Sequence, residues 1–139
     1  MGKVAIVYWS GTANTEAMAN AVADGAAEAG AEASVIAVAD FSAGDVEGYD
    51  ALAFGCPAMG AEELEADEFE PMWNDCLEVL GDKPVALFGS YDWGTGEWME
   101  TWRDAAEGAG VNVVAIAIAN NEPDDAALAE CKELGKALA

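Results

Sequence analysis

The sequence predicts an α/β fold, a doubly wound five-stranded parallel sheet with strand order 2-1-3-4-5. Three observations lead there. Short apolar runs alternate with amphipathic helical patterns from end to end. Several of those runs lack polar alternation, as expected of strands covered on both faces. The chain has 139 residues, 53 % of them hydrophobic, which is enough for one packed core, so residues 1–139 are read as a single domain.

The first strand is Lys3–Tyr8. Ala17/Met18, Ala21/Val22, Ala26 and Ala29 then make one apolar helical stripe, stopped by Gly30. The second strand is Ala33–Val38, and the crossover Ala39–Asp50 holds only a short helical possibility around Ala43–Glu47. The third strand is Ala51–Phe54. A second stripe runs Phe69, Met72, Trp73, Cys76, Leu77, Leu80, with Gly81 after it. The fourth strand is Pro84–Phe88, followed by a stripe of Trp98, Trp102, Ala105/Ala106 and Ala109, then Gly110. The fifth strand is Val111–Ile118, and Leu128, Cys131, Leu134 and Leu138 form the last stripe. Glycine just past three of these helices fits a left-handed C-terminal cap. Pro123-Asp124-Asp125 opens the last helix, with acids favoured by its dipole. On these stripes Trp73, Trp98 and Trp102 read as core.

Composition excludes several functions. Five basic residues against 27 acidic ones give a formal net charge of −22, which repels nucleic acids and anionic membranes. That acidity fits either docking to basic partners or a salty cytoplasm. There is no histidine, which removes Ser-His-Asp and Cys-His catalysis and the commonest zinc ligand. Three widely spaced cysteines, Cys56, Cys76 and Cys131, form neither a disulfide framework nor a complete iron–sulfur ligand set, and no metal site is expected. They read as buried, reduced thiols. With no leader or long apolar run in the sequence, the expectation is a cytoplasmic protein.

Three loops should face one crevice beyond the carboxyl ends of the strands. After strand one, Ser10-Gly11-Thr12-Ala13-Asn14-Thr15 leads into a helix, and hydroxyls plus free helix amides make an anion site. It has no Lys or Arg, so it is not a P-loop, and it suits a phosphate monoester held by neutral donors. After strand three comes Gly55-Cys56-Pro57-Ala58-Met59-Gly60-Ala61-Glu62-Glu63, offering a flexible glycine, a polarizable thioether and carboxylates that accept from a ligand N–H. After strand four comes Gly89-Ser90-Tyr91-Asp92-Trp93-Gly94-Thr95-Gly96, where Trp93 is the candidate platform for a flat ligand. Together they fit a heteroaromatic ring with one phosphate arm, and FMN is the simplest candidate.

These segments carry a family resemblance. Val7-Tyr8-Trp9-Ser10-Gly11-Thr12-Ala13-Asn14-Thr15-Glu16 resembles the phosphate loop of the flavodoxins. Gly55–Glu63 resembles their isoalloxazine loop, Phe88–Gly94 their aromatic loop, and Asn121-Glu122-Pro123-Asp124 their entry to the last helix. The match spans essentially the whole chain. Strand five carries no long inserted loop, which resembles the short-chain branch.

The resemblance implies a flavodoxin-like fold, FMN as cofactor and a role for each position. Ser10, Thr12, Asn14 and Thr15, with backbone amides of residues 11–15, would hold the phosphate. Trp93 would stack on the outer flavin face and Met59 would cover the inner one, in the loop Pro57-Ala58-Met59-Gly60-Ala61-Glu62. Glu62 would accept from flavin N3–H. Backbone groups from Ser90 through Tyr91 and Asp92 to Trp93, beside Gly94, would meet the pyrimidine edge, with Asn121 nearby. A flip of the Gly60–Ala61 peptide would offer the Gly60 carbonyl to N5–H of the semiquinone. The implied function is a low-potential one-electron carrier working through the semiquinone/hydroquinone couple, with the flavin doing the chemistry and the protein tuning it. Two unit charges about 10 Å apart in water interact by roughly 0.4 kcal/mol, about 18 mV for one electron, so carboxylates near the ring matter most.

Two positions depart from the family pattern. Ala13 stands where glycine is usual, which weakens phosphate binding if the nest needs a left-handed residue there. Asp92 stands where relatives often have glycine; Asp tolerates left-handed backbone, and its charge would lower the hydroquinone potential further. The implied partners are redox proteins with basic docking surfaces, met by a monomer, with salt-sensitive rates. The competing class is a flavin-dependent NAD(P)H or quinone reductase on the same fold, for which the sequence offers no cation for a nicotinamide phosphate. A phosphate-receiver signalling domain would need an acid cluster that Tyr8-Trp9-Ser10 and Gly55-Cys56-Pro57 do not supply, and a phosphotyrosine phosphatase would need an arginine after Cys56.

Overall fold

The computed structural model describes residues 2–9, 13–56, 69–91, 97–120 and 123–139. Its strands are β1 (Lys3–Tyr8), β2 (Glu32–Ala37), β3 (Ala51–Gly55), β4 (Pro84–Tyr91) and β5 (Asn112–Asn120). The helices are α1 (Ala13–Glu28), α2 (Phe69–Leu77), α3 (Glu97–Gly108) and α4 (Asp125–Leu138). Two 3₁₀ turns, Val38–Asp40 and Ala43–Gly48, fill the crossover from β2 to β3, where the sequence offered one short helical segment. The strands pair in the order β2-β1-β3-β4-β5, all parallel, as expected.

Alternate side chains divide between two cores because strand residues point to opposite faces. Ala5, Val7, Leu52, Phe54, Val85 and Leu87 face α2 and α3. Val4, Ile6, Ala53, Ala86 and Phe88 face α1 and α4. The first layer is aromatic: Phe54 meets Trp73 edge-on at 5.0 Å, Trp73 meets Trp102 at 5.4 Å, and Trp102 meets Phe69 at 5.5 Å. Such pairs are worth about 0.5–1.5 kcal/mol each beyond the burial of their area. Trp73, Trp98 and Trp102 are thus core residues, as their stripes predicted.

Element ends show where local chemistry decided the boundary. After α1, Ala31 N–H reaches the Ala26 carbonyl and Gly30 N–H the Ala27 carbonyl, with Gly30 at φ 96°. The same double bond closes α3 at Gly110. These are the left-handed caps the glycines predicted. Gly81 is different. The α2 helix ends at Leu77, where the N–H groups of Val79 and Leu80 both turn to the Cys76 carbonyl, and Gly81 sits instead in the tight turn Leu80–Lys83. Asp124 caps α4 by accepting from Ala127 N–H at 2.8 Å.

The strand β4 runs three residues beyond its expected end. Gly89, Ser90 and Tyr91, expected in the following loop, continue the ladder against Ile118, Ala119 and Asn120 of β5. Between the Val85–Val113 and Ala86–Ala115 pairs, β5 carries one extra residue, Val114. This bulge turns Val114 out to solvent and blunts an otherwise apolar edge strand.

All three cysteines are buried, and none forms a disulfide among the described residues. Burial, with lesser help from neighbouring carboxylates, pushes Cys76 and Cys131 from 9.0 up to about 12. In the unfolded chain they ionise near 9, so their contribution is fully present below that pH and is lost as pH rises from 9 toward 12. The urea midpoint of the apoprotein should therefore fall between about pH 8 and about pH 10.5. The fall should be shallower in the Cys76→Ala/Cys131→Ala variant; equal slopes would show that the thiols do not couple to folding.

Candidate functional site

Parallel strands present their carboxyl ends together, so position along the sheet decides what the loops can build. At this edge Tyr8 of β1 pairs with Gly55 of β3, and Gly55 with Phe88 of β4. Trp9 N–H adds a bond to the Gly55 carbonyl at 3.0 Å, and Cys56 N–H one to the Phe88 carbonyl at 3.1 Å. The β1 strand continues through α1 to β2 on one side, while its other neighbour is β3. That reversal is a topological switch point, where open α/β sheets bind ligands. The chain leaves β1, β3, β4 and β5 from this one edge.

The close approach of β3 and β4 there leaves no room for side chains. A β-carbon at Gly89 would run into the Cys56 carbonyl oxygen and stand 3.1 Å from the Trp98 ring. A β-carbon at Gly55 would enter the Phe88 ring.

On the α1 side of the edge lie the hydroxyls. Thr15, in the first turn of α1, is fully buried, and Ser90 of β4 is 5 % exposed. Their oxygens are 3.4 Å apart. Asn14 beside them is half-buried. The first N–H groups of a helix have no intrahelical acceptor, and α1 opens within a few residues of the end of β1. Ala13 is the first residue of α1 and right-handed, so the loss of left-handed freedom expected there does not arise.

Tyr8 adds a contact that its sequence position did not single out. It points to the α1 side with Val4 and Ile6, and its hydroxyl bonds to Glu16, also in the first turn of α1. Burial foremost, then the Glu16 charge and this bond, raise Tyr8 above the ordinary tyrosine value, so it stays a protonated donor. The only advance signal was β1 alternation, which sends Tyr8 to the same face as α1. On the opposite face, Tyr91 packs against Trp98 with centroids 5.4 Å apart. The buried Nε1 groups of Trp98 and Trp102 have no acceptor among the described residues.

The structure thus brings Asn14, Thr15 and Ser90 to one edge and puts Tyr91 beside α3. It moves Ser90 and Tyr91 from the expected loop into β4. Ser10, Gly11, Thr12, Pro57, Ala58, Met59, Gly60, Ala61, Glu62, Asp92, Trp93, Gly94 and Asn121 lie outside the described residues. The donor set itself fits a phosphate ester held without a cation. Helix amides and buried hydroxyls meet at the carboxyl edge, while Lys3 opens β1 and Lys83 precedes β4, both at the amino edge.

The flavodoxin family model matches residues 6–135. The chain belongs to the flavodoxin family. It is 49 % identical to the flavodoxin of Megasphaera elsdenii over 136 residues, 98 % of each chain. It is 45 % identical to the flavodoxin of Clostridium beijerinckii over 135 residues, 96 % of this chain and 97 % of the relative. The solution structure of two-electron reduced M. elsdenii flavodoxin superposes with a TM-score of 0.90 over 97 % of both chains. As a member of that family the chain is an FMN-dependent electron carrier, not an enzyme, and it exchanges electrons with redox partner proteins. No helix among the described residues is long and apolar enough to cross a membrane.

Proposed function

We propose that residues 1–139 act as one FMN-binding domain that carries single electrons at low potential. FMN, when bound, supplies the redox chemistry; the chain holds it and sets its potential. The observation that carries this reading is the buried Thr15–Ser90 hydroxyl pair beside the start of α1, at the switch point of the sheet. Ser10, Thr12, Asn14 and Thr15, with the amides of residues 11–15, hold the phosphate. Trp93 and Met59 would wall the ring and exclude water, Glu62 would accept from its N3–H, and the Gly60 carbonyl would serve as a hydrogen-bond acceptor toward N5. The backbone of residues 90–93 and Asn121 line the pyrimidine edge.

Electrostatics then set the direction of tuning. Glu62 and Asp92 disfavour added negative charge on the ring, which lowers the potential of the second electron. The surface, at a net charge of −22, favours partners with basic docking patches and a monomeric carrier. Buried thiols that form no disulfide support a reducing compartment, the cytoplasm.

A reductive titration of the FMN-loaded protein tests the reading. Two resolved one-electron potentials are expected, with absorbance at long wavelength rising and falling between them. Asp92→Gly should raise the second potential and leave the first nearly unchanged. A single two-electron wave would refute one-electron carriage, and an unchanged or lowered second potential in the variant would remove Asp92 from the tuning groups.

A further inference from the structure

Thr15 and Ser90 are the two buried polar residues among those described. They stand 75 positions apart in the chain, on α1 and β4, yet their hydroxyl oxygens are 3.4 Å apart. A hydroxyl carries one proton, so in such a pair one group donates and the other accepts. The pair alone allows either direction. An anion at the start of α1 removes that freedom. Once the Thr15 O–H points at a phosphate oxygen, the Thr15 oxygen can meet Ser90 only as an acceptor.

We propose that Ser90 is a positioning residue for the FMN phosphate: its hydroxyl donates to Thr15 Oγ1 and thereby directs the Thr15 O–H at the phosphate. The inference rests on the placement of the phosphate at the start of α1 proposed above. Both residues are buried, and in such surroundings a chain of two O–H donors polarises toward the anion at its end. This gives the Ser90 side chain a duty separate from that of its backbone. It also ties the strand from which the Trp93 segment departs to the helix that grips the phosphate arm. Because Ser90 acts through a proton aimed at phosphate, its loss concerns FMN and not riboflavin, which has the same ring and no phosphate.

The test titrates apoprotein with FMN and, separately, with riboflavin, read by quenching of flavin fluorescence, in the parent, Ser90→Ala, Thr15→Val and the double variant. Ser90→Ala should weaken FMN binding about fivefold, and Thr15→Val about thirtyfold. Riboflavin binding should change in neither. The double variant should bind FMN no worse than Thr15→Val alone, because Ser90 has no route to the phosphate except through Thr15. The phosphorus NMR resonance of bound FMN should move in Ser90→Ala, and Ser90→Cys, a weaker donor of similar size, should fall between serine and alanine. Equal losses for FMN and riboflavin would overturn the proposal, as would additive losses in the double variant. An FMN affinity that falls with Thr15→Val but not with Ser90→Ala would overturn it alone. If Thr15→Val also leaves the FMN-to-riboflavin ratio untouched, the placement of the phosphate falls, and this inference with it.

Discussion

Replacing Gly135 by alanine should lower the stability of the apoprotein by roughly 3 kcal/mol, although alanine is the better helix former by about 1 kcal/mol. The reason is the crossing of α1 and α4. A β-carbon at Gly135 would run into the Val22 carbonyl oxygen and stand 2.8 Å from the Ala26 nitrogen. From the other helix, a β-carbon at Gly25 would run into the Lys132 carbonyl. Backbone cannot rotate away as a side chain can, so the helices would have to separate. Separation would strip contacts from Val22, Ala26, Cys131 and Leu138, which the crossing buries. Gly25→Ala should behave alike, and the two together should cost less than the sum, because one separation relieves both clashes. Urea unfolding checks this. A midpoint raised by the alanine would mean that propensity alone governs the position and that the close approach carries no weight.

The second large effect concerns the ring. Trp93→Ala should weaken FMN binding by roughly 5- to 150-fold, the range of about 1–3 kcal/mol measured for stacking of flat bases on aromatic side chains. Riboflavin should lose the same factor, because stacking does not involve the phosphate. That separates Trp93 from Thr15 and Ser90, whose loss should be confined to FMN. Unchanged affinity for both ligands would leave Trp93 without a stacking role.

Much of this architecture was legible in the residues. Val4–Val7 is a continuous apolar run, and β1 spans Lys3–Tyr8 as that run predicted. Gly30 and Gly110 mark their helix ends because only a positive φ completes the double bond to the last carbonyls. Asp124 caps α4 because its carboxylate reaches a free amide. What stayed hidden depends on partners remote in sequence. Gly89-Ser90-Tyr91 has turn composition, yet pairing with β5 keeps it in the strand. Leu80 continues the helical stripe, but the Cys76 carbonyl captures the next two free amides and α2 stops at Leu77. The bulge at Val114 depends on register against β4, which alternation cannot report. In the site, the hydroxyl run after β1 predicts an anion nest; residues 10–12 of it lie outside the described residues, while Thr15 sits in the first turn of α1. The meeting of Thr15 with Ser90 was not, since nothing local to either residue points at the other.

The most direct test of the whole account is whether the chain takes up flavin mononucleotide. Apoprotein mixed with excess FMN and passed through gel filtration should emerge yellow, with one flavin per chain and its fluorescence quenched. Protein that emerges colourless, with all the flavin in the small-molecule fraction, would contradict the account.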